Sequence, residues 1–419
     1  MQVGMLCGQQ TLTVQVPDSA KVLATKPAAP LADPAAAVVQ ALAQPIASPP
    51  LAELAQGRSN ACIVISDITR PVPNQIILPP MLAVLEQAGI PREAITILIA
   101  TGMHRPNEGE ELAQVVGREI MANYRIINHF CRRPEDVRQI AEIDGAPIEI
   151  NRHYLDADLK IITGLIEPHM YAGYSGGRKA ILPGISSFTT MKFMHSFAMI
   201  DHPQVTNCVL AGNPFHEAGL RVTALAGCDF MLNVVINKER QTVGVFAGHH
   251  DQAHLAGCEV VAHHSVHRLE RRADLVLTSA GGYPLDQTFY QVSKGLIMAR
   301  NIVKPGGAIV VTCGCAEGLG SGEYCDLVRQ GRSPVEFVAH CCQPDNFVID
   351  QWCLQTTYQA LAHAAKVYAY SPGLSASDLG AMGIAKVEDL QACLDGLAAG
   401  HPDMVVAPEG PYVVGLVKA

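Results

Sequence analysis

The chain has 419 residues, of which 49% are hydrophobic and 16% are charged, a balance typical of a globular protein with two domains and not of a disordered chain. Its formal net charge of −9 excludes a basic footprint for nucleic acid and disfavours binding to anionic membranes. The N-terminus lacks a signal-peptide pattern and no apolar run is long enough to span a bilayer, so we expect a cytoplasmic protein without nucleic-acid or membrane partners.

The 13 cysteines are scattered along the chain. The two close groups, Cys313-Gly314-Cys315 and Cys341-Cys342, do not belong to a paired Cys-x-x-Cys set, which argues against a structural zinc site. We therefore expect reduced and mostly buried thiols.

In chain order, the alternation of apolar residues from Gln9 to Pro17 predicts an edge strand. Ala35 to Ala43 is predicted to form a short helix in an Ala- and Pro-rich region. Short apolar runs then predict three buried strands: Ala61–Ser66, Ala94–Ala100 and Leu159–Thr163. A helix is predicted near Gln75 to Ala88, and this alternation of strands and helices indicates an α/β fold with a mostly parallel sheet.

Polar residues follow each of these three strands beside Pro or Gly. The segments are Asp67 to Pro71, Thr101 to Pro106 and Gly164 to His169. Because ligands bind beyond the carboxyl ends of parallel strands, residues 61–200 are predicted to contain a binding site.

A second α/β unit is predicted from Ala273 onward. Its predicted strands are Leu275–Thr278, Ala308–Thr312, Val367–Tyr370 and Met404–Ala407. A helix is predicted from Asp286 to Val303. We therefore predict two domains, each a mostly parallel sheet flanked by helices, at residues 1–270 and 271–407. The tail at 408–419 is expected to pack back on the first domain, and the active site to lie in the interdomain cleft.

The stretch from Tyr171 to Lys179 contains three glycines next to Ser175, Arg178 and Lys179. Glycines allow backbone N–H groups to approach an anion closely, and Ser175 and Arg178 would add a hydroxyl and a charge. A tight turn explains the glycines equally well, but does not explain the adjacent Arg and Lys. Lys179 precedes an apolar segment, so a partly desolvated, nucleophilic amine is a candidate here.

Three histidines are candidates for a site at this loop: His169 and His195, which are near it in sequence, and His104, which follows an earlier predicted strand. His104 and His169 both follow predicted strand ends, and two imidazoles in one crevice suit acid–base chemistry near neutral pH. A second group comprises His249, His250, His254, His263, His264 and His267. We interpret that group as a solvated helix surface, with His263 and His267 on one face, because no zincin pattern accompanies it.

In the second domain, Tyr290, Gln291 and Lys294 lie on adjacent faces of the start of the predicted helix. They would either face the first domain across a cleft or lie on a surface helix. The sequence pattern favours neither alternative.

At these residues the chain closely resembles the nickel-dependent lactate racemase family. The matching stretches, in the family's order, are Asp67 to Pro71, Ala100 to Pro106, Gly164 to Gly184, Asp201 to Pro203, Gly212 to Pro214, Leu232 to Asn237 and Tyr290 to Gly295. They span most of the chain.

The resemblance implies a 2-hydroxyacid racemase or epimerase with a nickel pincer nucleotide attached covalently to Lys179. It implies that His195 binds the nickel and that His104 and His169 are the acid–base pair. The residues it places around the cofactor are Asp67, Ile68, Thr69, Arg70, Ser175, Gly176 and Gly177. Those it places around the substrate are Arg70, Tyr290, Gln291, Lys294 and Trp352. Cofactor maturation enzymes and a small 2-hydroxycarboxylic acid are the implied partners.

The chemistry agrees with this resemblance. Removing the α-hydrogen of a 2-hydroxyacid as a hydride, while a histidine takes the hydroxyl proton, avoids a carbanion next to a carboxylate. Each enantiomer presents its hydroxyl on a different side, so two bases are needed. The alternatives are a zinc-dependent hydrolase using the same histidines, and a non-catalytic carrier of the nickel cofactor.

Overall fold

A computed structural model describes residues 1–343 and 346–418. The chain forms two compact units, and each consists of more than one segment. Unit 1 contains Met1–Lys26, His195–Cys208 and Ser265–Ala419. Unit 2 contains Pro27–Met194 and Val209–His264. This division differs from the two contiguous domains that we predicted, because the N-terminal 26 residues and the segment after Met194 belong with the C-terminal half.

The strands, in chain order, are β1 (Gln2–Cys7), β2 (Gln10–Gln15), β3 (Lys21–Val22), β4 (Ala61–Ser66), β5 (Ile95–Ala100), β6 (Arg125–Asn128), β7 (Val137–Ile143), β8 (Ala146–Asn151), β9 (Leu159–Leu165), β10 (Pro168–His169), β11 (Gly173–Tyr174), β12 (Phe230–Ile236), β13 (Thr242–Gly248), β14 (Val266–Leu269), β15 (Ala273–Ser279), β16 (Val303–Thr312), β17 (Lys366–Tyr370), β18 (Ala385–Val387), β19 (Met404–Ala407) and β20 (Val414–Val417).

The helices are α1 (Pro34–Ala43), α2 (Leu51–Ala55), α3 (Asn74–Gln87), α4 (Gly109–Val116), α5 (Arg118–Asn123), α6 (Arg152–Leu155), α7 (Phe188–Met194), α8 (Phe197–Asp201), α9 (Pro214–Ala226), α10 (Gln252–Ser265), α11 (Ser293–Ile302), α12 (Gly322–Arg329), α13 (Pro334–Cys341), α14 (Gln351–His363), α15 (Ala376–Ala381) and α16 (Leu390–Ala398). Among the described residues, no helix is both long and apolar enough to cross a bilayer.

Unit 2 is built on a sheet with the strand order β13-β12-β9-β4-β5-β6. All neighbours are parallel except β13, which runs antiparallel to β12. The first five residues of β4 are all buried, as expected for a central parallel strand with both faces covered. Its Ile63 shares one core with Ile97 of β5 and with Leu78 and Leu82 of α3. Burial of each such side chain contributes about 1.5–3 kcal/mol to folding.

Unit 1 has a fully parallel sheet with the strand order β18-β17-β16-β15-β19-β3. The N-terminal segment belongs to this unit because β3 pairs with β19, and Met5 and Val14 share a core with Leu277 and Val310. The tail also stays within unit 1, where β20 pairs with β14. We had expected the tail to pack on the first domain.

The predicted α/β class is confirmed, and the predicted strands agree with β2, β4, β5, β9, β15, β16, β17 and β19 to within a few residues. The helix predicted from Asp286 is wrong at its start. Leu285–Gln287 and Phe289–Val292 are 3-10 turns, and α11 begins only at Ser293. Asp286 departs from helical geometry at φ −92° and ψ 27°, and its carboxylate accepts hydrogen bonds from Gly8 N and Gly314 N.

Candidate active site

The predicted polar segments of unit 2 meet at one edge of its sheet. Chain order runs outward from β4 to β5 and β6, and then returns to β9 on the other side of β4. The strand order therefore reverses between β4 and β9, which is where open parallel sheets bind ligands. Asp67 follows β4, His104 follows β5, and Glu167 and His169 follow β9.

His104 is paired with Asp67 in this crevice. Its Nδ1 lies 2.7 Å from Asp67 Oδ2, and the Asp67 side chain is 5% exposed whereas that of His104 is 51% exposed. Thr69 donates through Oγ1 to the other carboxylate oxygen of Asp67 at 2.6 Å. Because a carboxylate only accepts, Nδ1 of His104 carries the hydrogen and Nε2 keeps its lone pair.

The Asp67 carboxylate is stabilised in its charged form. Burial favours the neutral acid, but hydrogen bonds from His104 and Thr69 and the charge of Arg70 outweigh burial and lower the pKa of Asp67 below its ordinary value. Asp67 therefore remains a hydrogen-bond acceptor for His104 near neutral pH. The family resemblance predicts that Asp67 lines the cofactor, whereas its contact with His104 appears only in the fold.

Arg70 lies across from the end of β9. Its Nε is 3.5 Å from Glu167 Oε1, and both side chains are about one-quarter exposed. A ligand carboxylate would have to compete with Glu167 for this guanidinium. The neighbouring Ile68 is fixed by a hydrogen bond from its backbone N–H to Asn107 Oδ1 at 3.1 Å. We did not predict Glu167 as a site residue, although it lies in the predicted polar segment Gly164 to His169.

The glycine-rich loop packs tightly against the strand ends. A Cβ on Gly176 would lie 2.6 Å from Asn233 Oδ1, and one on Gly164 would lie 3.4 Å from Gly176 Cα. Gly177 donates its N–H to Asn233 Oδ1 at 2.7 Å. Gly176 and Gly177 also have positive φ values of 72° and 53°, so glycine is required there for both space and conformation.

Ser175 and Arg178 are turned toward the protein and do not form an anion-binding surface. Ser175 Oγ donates to Leu165 O at 2.7 Å, and Arg178 is 1% exposed with NH2 bonded to Ala172 O and Tyr174 O. His254 Nε2 contacts both residues, at 2.8 Å from Ser175 O and 3.0 Å from Arg178 NH1. The side chains that we assigned to an anion therefore shape the loop.

The interpretation of the second histidine group as a solvated helix surface is wrong in part. His254 is 1% exposed, because α10 packs this side chain under the glycine-rich loop. His263 and His267 do not share a helix face, since α10 ends at Ser265 and His267 lies in β14. Its neighbours Ala253, Gly257 and Cys258 are buried on the same side of α10 as His254.

The second candidate base, His169, lies in the short strand β10, which pairs with β11. The backbone N–H groups of Tyr171 and Ala172 both lie 3.2 Å from His169 Nδ1 and donate to it. In the neutral ring the hydrogen is then on Nε2. His104 and His169 are thus set in opposite tautomers.

Lys179 lies in a 3-10 turn, Gly177–Ala180, at the end of the glycine-rich loop. It is half-buried, and its Nζ is 5.4 Å from the centroid of the Phe215 ring. Phe215 is positioned by α9, whose N-cap Asn213 also donates to Tyr171 O at 2.7 Å. The loop that contains Lys179 is therefore fixed at several points along its length.

His195 and the predicted substrate residues Tyr290, Gln291, Lys294 and Trp352 belong to unit 1. The rings of His195 and Trp352 are 4.4 Å apart at their centroids, and both side chains are buried. Gln355, on the same helix as Trp352, donates to Phe197 O at 2.9 Å and ties the segment after His195 to α14. Trp352 is thus a neighbour of the predicted metal ligand.

Tyr290 and Gln291 lie in the 3-10 turn that leads into α11, and Lys294 lies in its first turn. Ser293 Oγ donates to Tyr290 O at 2.7 Å, and the Tyr290 ring packs edge-on against Tyr324. All three predicted residues are half-buried. Tyr290 and Gln291 are therefore held in a defined turn before the helix, and Lys294 lies in the helix itself.

The cysteines can be compared with the expectation of mostly buried thiols. All 13 cysteines lie within the described residues and are free, and most of them are buried. Among the described residues, no group of three or more His, Cys, Asp or Glu side chains is arranged to hold a metal ion.

Comparison with known proteins identifies the family. Residues 7–207 match the family described as Lactate racemase N-terminal domain, and residues 269–414 match Lactate racemase C-terminal domain. The chain is 37% identical to a lactate racemase of Thermoanaerobacterium thermosaccharolyticum over 318 residues, 75% of this chain and 74% of the relative. It is 36% identical to a lactate racemase of Lactiplantibacillus plantarum over 330 residues, 78% of this chain and 77% of the relative.

Two solved structures are similar to the whole fold. The lactate racemase apoprotein from T. thermosaccharolyticum matches with a TM-score of 0.92 and 32% identity, covering 100% of both chains. A crystal structure of a protein from Thermotoga maritima matches with a TM-score of 0.67 and 18% identity, covering 92% of this chain and 99% of the other, and shares the fold. The chain therefore belongs to the lactate racemase family and is an isomerase of the racemase class.

Proposed function

We propose that this racemase inverts the α-carbon of a small 2-hydroxyacid, lactate or a close relative, with His104 and His169 as its acid–base pair. The observation that carries the proposal is the Asp67–His104 pair, which lies at the strand-order reversal of unit 2 next to Arg70. Arg70 follows β4 and could bind a carboxylate. His104 follows β5 and His169 follows β9, and both could act as bases. This is the set of groups that inversion of a hydroxyacid requires.

Arg70 is proposed to bind the substrate carboxylate. Its guanidinium is partly exposed and offers paired donors that match a carboxylate. Glu167 orients Arg70 in the absence of substrate, and the substrate displaces it. Tyr290, Gln291, Lys294 and Trp352 of unit 1 are proposed to contribute further substrate contacts.

His104 is proposed to take the hydroxyl proton of one enantiomer at Nε2. Its Nδ1–H is held by Asp67, which stabilises the positive charge that the ring gains. His169 is proposed to serve the other enantiomer. It can act as a base at Nε2 only when Nδ1 carries the hydrogen, so its contacts with the Tyr171 and Ala172 N–H groups must first be released.

The residues present fit a nickel pincer nucleotide. Lys179 offers a primary amine for covalent attachment at the end of the glycine-rich loop. A Cβ on Gly176 or Gly177 of this loop would collide with Asn233 or His254, respectively. His195 offers an imidazole nitrogen, a ligand type that suits Ni(II). When bound, this group would supply the acceptor for the α-hydrogen. We propose that Asp67 to Arg70 line it, and that Ser175 contributes through its backbone, since its hydroxyl is bonded within the protein.

The racemase family replaces both alternatives considered from the sequence. A zinc-dependent hydrolase and a non-catalytic carrier do not account for matches to both lactate racemase domains. Cofactor maturation enzymes remain proposed partners, because a covalently attached nickel group has to be made before it is loaded.

The test uses protein produced with and without the cofactor maturation enzymes. Each pure enantiomer of lactate, malate, 2-hydroxyglutarate and phenyllactate is incubated with it, and inversion is followed by chiral chromatography. Matured protein is expected to racemise at least one acid, and Lys179→Ala is expected to remove a mass adduct that Lys238→Ala, at an exposed turn, retains. Activity in protein without nickel, or an adduct that persists in Lys179→Ala, would contradict the cofactor assignment.

The two bases are tested by separate His104→Ala and His169→Ala substitutions. Each should lower racemisation by about 10²–10⁴-fold, because a complete inversion uses both histidines. His263→Ala, at an exposed position of α10, is the matched control. A variant that racemises at the wild-type rate would remove that histidine from the mechanism.

A further inference from the structure

The buried side chain of His254 lies directly beneath the glycine-rich loop. It comes from α10 and is far from the loop in sequence, yet its Nε2 is 2.8 Å from Ser175 O. The carbonyl can only accept, so His254 donates to it through Nε2–H. Arg178 NH1, itself a donor 3.0 Å from Nε2, is then a packing neighbour of the ring and not its hydrogen-bond partner. Cys258, one helical turn later, lies 3.6 Å from the same ring. His254 is therefore a donor directed at the loop backbone.

Arg178 extends the same set of contacts along the loop. Its NH2 donates to Ala172 O at 2.5 Å and to Tyr174 O at 3.0 Å, and its NH1 lies 3.0 Å from His254 Nε2. A Cβ on Gly219 of α9 would lie 2.7 Å from Arg178 Cγ, so the arginine chain is clamped against that helix. A guanidinium this deeply buried is costly unless its hydrogen-bonding partners are fixed.

The backbone next to Lys179 rests on the His254 ring. A Cβ on Gly177 would lie 2.9 Å from His254 Cδ2, closer than side chains normally approach. On the other side, Asn233 Oδ1 accepts the Gly177 N–H at 2.7 Å. Gly177 is thus enclosed between an imidazole and an amide, two residues before the lysine.

We propose that His254 is a positioning residue for Lys179, acting through Ser175 O, Arg178 and the backbone of Gly177. Together these contacts hold the segment from Ala172 to Lys179 in one conformation, so that the amine is presented in one place. This rests on the proposed attachment of the cofactor to Lys179. None of these side chains needs to contact substrate or cofactor itself.

The charges around His254 agree with a neutral ring. Burial is the largest effect, and the charge of Arg178 adds to it, so that the pKa of His254 lies well below its ordinary value. His216 and His250 also face it, and the Ser175 carbonyl acts in the opposite direction. A second charge beside Arg178 would push the loop apart, and the neutral Nε2–H form avoids this.

The experiment compares three variants with wild type. His254→Leu removes the donor at similar size, His254→Gln retains an N–H donor, and His263→Leu alters an exposed histidine of the same helix. The first measurement is amide hydrogen exchange of residues 171–179 in protein without cofactor. His254→Leu should speed exchange there by about tenfold, the effect of losing one buried hydrogen bond, and His254→Gln should restore most of the protection.

The second measurement is the rate at which acetic anhydride acylates Lys179 in the same proteins, with Lys238 as an internal reference. A change at Lys179 in His254→Leu, reversed in His254→Gln and absent in His263→Leu, supports the positioning role. The proposal is overturned if the loop exchanges as in wild type, if exchange rises equally throughout unit 2, or if Gln behaves like Leu.

If His254→Leu does not fold, 15N NMR of the histidine side chains in the wild-type protein tests the proposal instead. The His254 ring is expected to carry its hydrogen on Nε2 and to remain neutral at about pH 6, and a hydrogen on Nδ1 instead overturns the proposal. A failure of the proposed function gives a different result from a failure of this inference. If Lys179 is not the attachment point, matured wild-type protein lacks the adduct there while the exchange and acylation results are unchanged.

Discussion

The sheets of units 1 and 2 share one topological feature, a reversal of strand order, but different residues lie at the two reversals. Each unit has a mostly parallel sheet in which the strand order reverses once. The reversal lies between β4 and β9 in unit 2 and between β15 and β19 in unit 1. In unit 2 the reversal carries Asp67, Arg70, His104 and Glu167. All four side chains are polar; Asp67 is buried, and Arg70, His104 and Glu167 are partly exposed.

In unit 1 the equivalent edge is filled by backbone. A Cβ on Gly410, just after β19, would lie 2.0 Å from Ser279 O at the end of β15, and one on Gly295 of α11 would lie 2.5 Å from the same atom. Nearby, Asp286 is fully buried and accepts from Gly8 N and Gly314 N, both at 2.8 Å. At this edge the space beside Gly410 and Gly295 is occupied by backbone atoms of Ser279.

The comparison shows that a reversal of strand order permits a site but does not make one. The residues after the strands differ: polar side chains such as Arg70 and His104 in unit 2, and glycines that allow close approach of a helix and a loop in unit 1. The candidate residues of unit 1 accordingly lie further along, at the start of α11 and on α14. Four experiments test this contrast.

The largest expected effect is that of Asp67→Asn. Thr69 donates to one carboxylate oxygen, so the amide oxygen of Asn would take that position and its NH2 would face His104 Nδ1. His104 would then carry its hydrogen on Nε2 and lose its function as a base. Racemisation should fall by about 10²–10⁴-fold, by analogy with a misoriented catalytic histidine, while the melting temperature changes little. Unaltered kinetics would remove Asp67 from the mechanism.

Asp286→Ala is the structural counterpart in unit 1. Two backbone N–H groups lose their shared acceptor in the interior, which should destabilise the protein by about 2–4 kcal/mol in denaturant unfolding. The activity per folded molecule is expected to change much less than in Asp67→Asn. Equal stability of Asp286→Ala and wild type would contradict the role of this carboxylate in closing the edge.

A matched pair of glycines measures the crowding directly. Gly410 and Gly102 have similar positive φ values, 54° and 57°, but a Cβ on Gly102 meets nothing within 4 Å. Both Ala variants incur about 1–2 kcal/mol of backbone strain. Gly410→Ala should cost a further 1–3 kcal/mol, roughly, because Ser279 must move. Equal melting temperatures for the two variants would show that the edge of unit 1 is not closed by packing.

The smallest effect is expected from Glu167→Gln. Removing the charge that pairs with Arg70 should lower KM for the hydroxyacid by up to about fivefold without changing kcat, because a partly exposed ion pair contributes up to about 1 kcal/mol. Glu111→Gln, at the Arg105–Glu111 pair after β5, is the control and should leave KM unchanged. An increase in KM for Glu167→Gln would mean that Glu167 orients Arg70 for binding rather than competing with substrate.

The sequence by itself determined the elements and the candidate residues. Runs such as Ala61–Ser66 and Ile95–Ala100 are short, apolar and flanked by turn residues, so their structure depends mainly on nearest neighbours. The sequence motifs also identified the residues that follow these strands and the glycines before Lys179. Their alternation with helices was enough to predict parallel sheets in both halves.

Only the tertiary structure decided which residues meet. Asp67 and His104 are 37 residues apart, Ser175 and His254 are 79, and Gly8 and Asp286 are 278. Such contacts depend on strand order and helix packing, and no local pattern encodes them. The same holds for the division of the chain, since Met1–Lys26 joins unit 1 through pairing of β3 with β19, nearly 400 residues away. A buried histidine and a solvated one look alike in sequence, and burial separates them only once the chain has folded.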